Sequence, residues 1–315
     1  MPDDAKPVED YPKALLEFER RFATDEACRL YLEQLRWPKG FVCPACAATK
    51  AWRMERGLWL CSSCRKQVSV KAGTIFQDSR LPLRLWFRAM WYATSQKNGS
   101  SAKNVQRLLG LGSYQTAWAW LHKLRRAMVR PGRERLFGKV EVDETYLGSR
   151  DEGGNGRKPG EKALVAIAVE LRGAAIGRIR LQRIPDASAE SLLGFLQHSV
   201  QPGTMVHTDG WRGYLPIRYA GYPHRQHKQT TRTAPEPSYE QMPHVHQVAS
   251  LLKRWLLGTH QGAVRPEHLD YYLDEFTFRF NRRDSASRGK LFYRLVQQAV
   301  QVEPCPYKTL IRPNL

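Results

Sequence analysis

The sequence predicts an α/β protein in which a mixed β-sheet flanked by helices follows a mainly helical first half with a short cysteine-bearing β segment. Three observations lead to this prediction. Alternating apolar and polar residues, typical of strands, recur from residue 139 onward. Apolar residues recur at helical spacing over residues 11–37 and again from residue 83 to residue 130. Four of the six cysteines form two C-x-x-C pairs between those helical stretches.

The change from helical to strand periodicity sets the predicted domain boundaries. We place N-terminal helices and the cysteine segment at residues 1–80 and a second helical segment at 81–135. The sheet domain follows at 136–300, and residues 301–315 form a tail.

The paired cysteines predict a zinc site. Cys43 and Cys46 form one pair, Cys61 and Cys64 the other, and 14 residues separate the pairs. Two thiolates on one turn can face one metal ion, and a second such pair completes a tetrahedron. The alternatives are two redox pairs or coincidence, but the spacing favours a structural zinc with four protein ligands in a ribbon of short strands.

The second helical segment resembles a helix-turn-helix. Ser101 can cap a short helix, Gly110–Ser113 forms a turn, and a basic helix follows from Tyr114 to Arg130. We expect this helix to contact DNA through three basic residues, namely Lys123, Arg125 and Arg126. The alternative is an ordinary helical corner without a binding role.

The sheet domain should contain five strands, with helices after the third and the fifth. The expected strands are 139–146, 163–171, 176–184, 203–207 and 222–227, and the later helices are 244–257 and 266–281. This order fits a mixed sheet covered by helices.

The charge of the chain points to a polyanionic partner. It has 50 Lys+Arg against 30 Asp+Glu, a net charge of +20. Nucleic acid is the first candidate, and an anionic membrane surface is the second. Met1–Asp10 is acidic and polar, and no stretch approaches the ~18 apolar residues of a membrane span. We therefore expect no membrane association and a cytoplasmic, nucleoid-associated protein.

Two aspartates stand where neighbouring strands can bring them together. Asp143 follows Val140 and Val142 within the first strand of the sheet, and Asp209 directly follows the fourth strand. Paired carboxylates can hold two divalent metal ions for in-line attack on a phosphodiester. Oxygen ligands suit Mg²⁺ or Mn²⁺. Glu144 should point to the opposite strand face. Considered singly, each Asp is more typical of a turn or cap.

Several longer motifs carry a family resemblance. They are Phe41-Val42-Cys43-Pro44-Ala45-Cys46, Ala72-Gly73-Thr74-Ile75-Phe76, Val140-Glu141-Val142-Asp143-Glu144-Thr145-Tyr146, Thr208-Asp209-Gly210-Trp211-Arg212-Gly213-Tyr214, Leu252-Lys253-Arg254-Trp255-Leu256-Leu257-Gly258-Thr259-His260 and Tyr272-Leu273-Asp274-Glu275-Phe276-Thr277-Phe278-Arg279-Phe280-Asn281. Over roughly residues 15–285 the chain resembles the IS1595 (ISXO2-like) family of insertion-sequence transposases. That family joins a zinc ribbon to an RNase H-like DDE domain. The resemblance implies an RNase H-like fold with Asp143 and Asp209 as the first two metal-binding carboxylates.

The third metal-binding position departs from the family pattern. Many relatives have Glu seven residues before the lysine of the Leu-Lys-Arg segment, and here that position is His246. Imidazole can ligate a metal or act as a base on water, but it adds no negative charge, which favours Mn²⁺ over Mg²⁺. Lys253, two helical turns later, is expected to contact a phosphate. Glu236 and Glu240 are the fallback carboxylates.

Three further basic residues are expected either to contact the DNA backbone or to form a solvated basic edge. They are Arg225, Lys228 and Arg254. The loop 148–161 is expected to order on DNA.

The sequence and the resemblance thus predict a transposase that binds terminal inverted repeats and target DNA, at least as a homodimer. It is expected to cleave and join DNA with two Mg²⁺ or Mn²⁺ ions, and the zinc is expected to be structural. Two alternatives remain open. One is a degenerate copy that binds DNA as a regulator, which the lack of Glu at position 246 favours. The other is a nuclease of the same fold without strand transfer.

Overall fold

The computed structural model describes residues 9–130, 132–148, 162–227, 241–261 and 264–311. The α-helices are α1 Leu15–Arg21, α2 Asp25–Arg36, α3 Leu83–Ser95, α4 Ala102–Leu109, α5 Tyr114–Ala127, α6 Ala189–Ser199, α7 Pro243–His260, α8 Leu269–Phe280, α9 Arg288–Ala299 and α10 Tyr307–Ile311. The strands are β1 Ala51–Arg53, β2 Leu58–Cys61, β3 Gln67–Ser69, β4 Lys139–Leu147, β5 Ala163–Arg172, β6 Ala175–Ile184, β7 Met205–Asp209 and β8 His224–His227. Two 3-10 helices span Arg212–Ala220 and Pro266–His268.

The chain forms two compact units. The first comprises residues 1–130 and 284–315, and the second comprises residues 131–283. No helix in the described part of the chain is long and apolar enough to cross a membrane.

The first unit is built from helices and one small sheet. Strands β1, β2 and β3 form an antiparallel ribbon in that order. Helix α4 begins at Ser101, whose hydroxyl accepts from the Asn104 N–H at 3.2 Å, and ends at Gly110 in the left-handed region with φ 62°. The expected cap and turn before α5 are therefore present.

The C-terminal helix α9 also belongs to the first unit, although its sequence position had placed it in the sheet domain. Phe292 packs against Phe87 and Trp91 of α3, with ring centroids 5.6 and 5.7 Å apart. At Gly289 a Cβ atom would lie 1.6 Å from the Pro12 carbonyl oxygen, so only glycine allows this approach. Helical periodicity shows that α9 has an apolar face but does not identify the surface that covers it.

The second unit is a five-stranded mixed sheet in the order β6-β5-β4-β7-β8. Strands β6, β5 and β4 are antiparallel to one another, whereas β7 and β8 run parallel to β4. One face packs on α6 and the first 3-10 helix, and the other packs on α7 and α8. This three-layer arrangement confirms the α/β, RNase H-like fold with helices on both faces.

Alternation along β4 decides which residues face which layer. Val140 and Val142 lie in the core beside α6, whereas Leu147 lies in the core beside α7. Since successive side chains alternate, Glu141 and Asp143 share the α7 face with Leu147. The catalytic candidates thus project from the face that α7 covers.

Asn281, the residue after α8, ties the edge strand β6 to that helix. Its Oδ1 accepts from the Ile179 N–H at 2.7 Å, and its amide nitrogen donates to the Ile179 carbonyl at 3.2 Å. Asn281→Ala should lower the free energy of unfolding of the second unit by roughly 1–3 kcal/mol, because the buried Ile179 N–H loses its acceptor, while the Ile179 carbonyl keeps its bond from Arg180 Nη1 at 2.9 Å. Urea unfolding followed by hydrogen–deuterium exchange at Ile179 measures this loss. Asn281→Asp, which keeps only the accepting oxygen, should lower the free energy of unfolding by less. An unchanged exchange rate of the Ile179 amide in Asn281→Ala would contradict the role of Asn281 as its hydrogen-bond partner.

Candidate active site and metal centres

Two aspartates lie side by side on adjacent parallel strands. Glu141 of β4 is in register with His207 of β7. Continuing that register by two residues brings Asp143 level with Asp209, the last residue of β7. Neighbouring strands lie ~4.8 Å apart, and aligned residues of parallel strands point to the same face. The two carboxylates therefore project from one face of the sheet.

Asp143 carries its charge in an unfavourable place. Burial, with a smaller contribution from the nearby Asp209 charge, raises the pKa of its carboxyl group to about 6. The Glu144 N–H, which donates to Asp143 Oδ1 at 2.9 Å, and the positive charge of Lys253 oppose that rise. A bound cation would likewise oppose the rise in pKa, because it would stabilise the charged form of the Asp143 carboxylate.

Helix α7 brings the third predicted ligand to this place. His246 Nδ1 lies 3.4 Å from Asp143 Oδ2. Its Nε2 atom is buried and has no hydrogen-bond partner among the residues that the structure describes. Lys253 lies two turns further along α7, is exposed, and acts electrostatically on Asp143.

These residues fit a divalent cation. A desolvated carboxylate, a second carboxylate and an imidazole are suitable ligands for Mn²⁺ or Mg²⁺, and a buried nitrogen without a partner is costly unless something binds it. Asp209 Oδ1 presently accepts from the Trp211 N–H at 2.9 Å. In the described residues, only the four paired cysteines bring three or more potential ligand atoms within 4.8 Å of one another. The ligand atoms of Asp143, Asp209 and His246 therefore do not all lie within that distance of one another.

Glu144 faces away from this site, as the strand alternation predicts. Its Oε2 accepts from the hydroxyl of Tyr214 at 2.6 Å, and Tyr214 is buried in the core beside α6. Burial holds the pKa of Tyr214 well above its usual value, so the tyrosine stays a donor. Tyr214 belongs to the segment that follows Asp209, and the bond links that segment to β4.

The four paired cysteines form a site of the right size for zinc. The Sγ atoms of Cys43 and Cys64 are 3.6 Å apart, as are those of Cys46 and Cys61. A tetrahedron with Zn–S bonds of ~2.3 Å has edges of about 3.8 Å, so these separations fit. Backbone N–H groups, first that of Ala45, lower the pKa of Cys43 to about 6, whereas hydrogen bonds to the neighbouring cysteines, first Cys64, raise the pKa of Cys46 to about 12. The four thiols thus share their protons, and a bound zinc ion would let all of them ionise.

Both cysteine turns have the same backbone form. The residue directly after each pair lies in the left-handed region, Ala47 with φ 59° and Arg65 with φ 58°. The two turns are therefore alike, as expected of paired metal-binding turns in a ribbon.

The predicted DNA contacts on α5 differ in their exposure. Arg125 is only 2% exposed and lies beside His122, with 3.5 Å between Nη1 and Nε2. It cannot present its guanidinium to DNA in this structure, which corrects the surface position expected for it. The reason is its spacing, because Arg125 falls one turn after the buried Leu121. Lys123 and Arg126 are half-buried, and burial lowers the pKa of Lys123.

In the second unit, Arg225 and Arg254 are exposed. Arg225 is in register with His207, so it lies on the same sheet face as Asp209. Lys228, the fallback Glu236 and Glu240, and the loop 149–161 lie outside the described residues.

The sequence analysis missed one buried acid of the site. Glu141 is 4% exposed and contacts the first turn of α7. Its signal was present, since a glutamate two residues before Asp143 must share its strand face.

Two family models match the chain. The ISXO2-like transposase domain matches residues 135–281, and the transposase zinc-ribbon domain matches residues 23–67. An uncharacterized protein in transposable element ISH50 of Halobacterium salinarum is 28% identical over 218 residues, which cover 63% of this chain and 71% of the relative.

Solved structures with similarity to the chain include two viral proteins. The catalytic core domain of BIV integrase is 18% identical, covers 44% of this chain and 80% of its own, and has a TM-score of 0.28. A simian T-cell lymphotropic virus intasome in complex with PP2A regulatory subunit B56 gamma is 12% identical, with 53% and 63% coverage and a TM-score of 0.28. By the two family models, which together match more than half of its residues, the chain belongs to the IS1595 (ISXO2-like) family of insertion-sequence transposases.

Proposed function

We propose that this transposase binds the ends of its element and cuts and joins DNA at a centre formed by Asp143, Asp209 and His246. The observation that carries the proposal is the alignment of two aspartates on adjacent parallel strands, with His246 Nδ1 3.4 Å from Asp143 Oδ2. Burial raises the pKa of Asp143, and a metal ion bound beside this carboxylate would offset the cost of its charge, which supports a metal site here.

Each residue has a distinct role in this proposal. Asp143 and Asp209 hold two divalent ions, Mg²⁺ or Mn²⁺, and His246 supplies a nitrogen ligand or accepts a proton from water. The ions supply charge neutralisation and activation of the attacking oxygen. Lys253, exposed on the same helix, contacts a phosphate beside them.

The basic surface supplies affinity for the DNA backbone. With a net charge of +20, the chain should bind duplex DNA with strong salt dependence. Arg225 and Arg254 are the proposed contacts of the second unit, and Lys123 and Arg126 those of α5. Because two element ends must be joined, we propose at least a homodimer on DNA, acting on the nucleoid in the cytoplasm.

A cleavage and strand-transfer assay tests the proposal. Labelled DNA ends from either side of the gene are incubated with wild type, Asp143→Ala or His246→Ala in Mg²⁺ or in Mn²⁺. We expect metal-dependent joining by the wild type and its loss in both variants. Tight DNA binding without cutting in either metal would instead support a regulator, and cutting without joining would support a nuclease.

The third position should set the choice of metal. His246→Glu adds a negative charge and a hard oxygen ligand, which favour Mg²⁺. We expect the ratio of Mg²⁺-supported to Mn²⁺-supported joining to rise roughly tenfold in this variant, on the order of 1.4 kcal/mol. His246→Gln, which adds an oxygen but no charge, is the control. An unchanged ratio in the Glu variant would remove position 246 from the metal site.

A further inference from the structure

Helix α7 begins without a cap from its own sequence. Its N-cap residue is Met242, which makes no side-chain cap hydrogen bond, and its first residue is Pro243, which has no N–H. The next N–H groups, of His244 and Val245, have no acceptor within the helix. A buried helix start of this kind needs an acceptor from elsewhere.

Glu141 of β4 is that acceptor. Its Oε2 accepts from the N–H groups of His244 at 3.0 Å and of Val245 at 2.9 Å. Its Oε1 lies 2.7 Å from His244 Nδ1. Glu141 is 4% exposed, so a buried carboxylate sits at the positive end of the helix dipole. These bonds join residues 103 and 104 positions apart in the chain.

The same strand and the same helix also carry two ligands of the proposed metal site. Asp143 lies two residues after Glu141 on one face of β4, and His246 lies two residues after His244 on α7. Slipping the helix by one residue would turn it by ~100° and carry His246 away from Asp143. The Glu141 contacts therefore fix the rotation of α7 that leaves His246 Nδ1 3.4 Å from Asp143 Oδ2.

We propose that Glu141 is a positioning residue: by capping α7 from β4, it holds His246 at the metal site. The inference rests on the proposed function, because it assigns to Glu141 the geometry of a site that binds a divalent ion. Glu141 touches neither DNA nor metal in this scheme and acts through His246 alone.

Mn²⁺ binding by full-length, zinc-loaded protein without DNA tests the proposal. Electron paramagnetic resonance gives the Mn²⁺ affinity of wild type, Glu141→Gln, Glu141→Ala and Asp143→Ala. Outer partners of metal ligands typically contribute 10–100-fold in metal affinity. We expect about tenfold weaker binding in Glu141→Gln, which keeps one accepting oxygen, and a loss nearer 100-fold in Glu141→Ala. Hydrogen–deuterium exchange should show faster exchange of the His244 and Val245 amides in both.

Glu170→Gln is the matched control. Glu170 is a buried glutamate of the neighbouring strand β5, 3% exposed, and it pairs with Arg178 at 2.7 Å rather than with α7. This variant should lose stability but keep the Mn²⁺ affinity of the wild type. A purely structural role for Glu141 predicts the same result for Glu141→Gln.

The outcomes separate this inference from the function on which it rests. Wild-type Mn²⁺ affinity in a folded Glu141→Gln variant, with Asp143→Ala impaired, would overturn the positioning role and leave the proposed centre intact. Equal Mn²⁺ binding by wild type and Asp143→Ala would overturn the proposed centre and the inference with it. Should Glu141→Ala not fold, the Glu141→Gln comparison alone decides.

Discussion

Asp143→Asn is expected to abolish strand transfer and, at the same time, to stabilise the protein in the absence of added Mg²⁺ or Mn²⁺. Activity should fall because the variant loses one negative ligand of the proposed metal centre. Charge stabilisation by a metal ion is worth several kcal/mol, which at ~1.4 kcal/mol per tenfold corresponds to a loss of roughly 1,000-fold or more. The joining assay measures this loss.

The gain in stability follows from the buried charge. Burial raises the pKa of Asp143 from its ordinary 3.8 to about 6. Below pH 3.8 the group is protonated in the folded and unfolded chains alike and costs nothing. Stability is lost as the pH rises from there through 6, and the full cost persists above it. A tenfold change in proton affinity is worth ~1.4 kcal/mol, so asparagine should stabilise the fold by roughly 1–3 kcal/mol at pH 7.

The thermal unfolding transition of the second unit, which contains Asp143 and not the zinc ribbon, measures the effect at pH 4 and at pH 7, so that release of zinc at pH 4 does not enter the comparison. The Asn variant should melt several degrees above wild type at pH 7 and close to it at pH 4. Asp274→Asn is the control for activity, because burial also raises the pKa of Asp274, to about 7, but this residue lies on α8 beside Arg133. That variant should still join DNA. Normal DNA joining by Asp143→Asn, or equal melting temperatures of this variant and wild type at pH 7, would contradict the assignment of Asp143 as a buried metal ligand.

Much of this site could be predicted from local sequence pattern. Alternation around Asp143 placed it on a strand, and the apolar run before Asp209 placed that residue at a strand end. Cysteine spacing predicted the ribbon because two residues between thiolates fit one metal-binding turn. The position of His246 followed from the resemblance, and the structure sets it beside Asp143.

What the sequence did not predict depends on contacts between distant residues. Glu141 caps a helix that begins 102 positions later in the chain, which no local period can indicate. Arg125 had the same charge as its neighbours, and only the packing of α5 shows that it is buried. Helix α9 lies with the first unit for the same reason, since an apolar face does not specify its partner.

Loss of zinc should unfold the ribbon. Its core is small, with Phe41, Cys43, Cys61 and Val68 buried and Trp37 and Trp59 packed against them. Three strands of three or four residues cannot bury enough apolar surface to fold alone. Binding of structural zinc to small domains supplies about 10–16 kcal/mol, more than such a core can replace. Cys61→Ser should therefore lose the bound zinc, and the ribbon should unfold.

Zinc content and tryptophan fluorescence report this loss independently. Elemental analysis should find one zinc per wild-type chain and much less in Cys61→Ser. The emission should shift to the red as Trp59 leaves its stacked position 5.4 Å from Phe41. Cys305→Ser replaces a buried cysteine outside the four-thiolate cluster and should keep one zinc. Because the core of the sheet unit contains no ribbon residue, that unit should keep its own unfolding transition in Cys61→Ser. A ribbon that stays folded in zinc-free Cys61→Ser would show that packing alone holds it, and the four cysteines would then need another explanation.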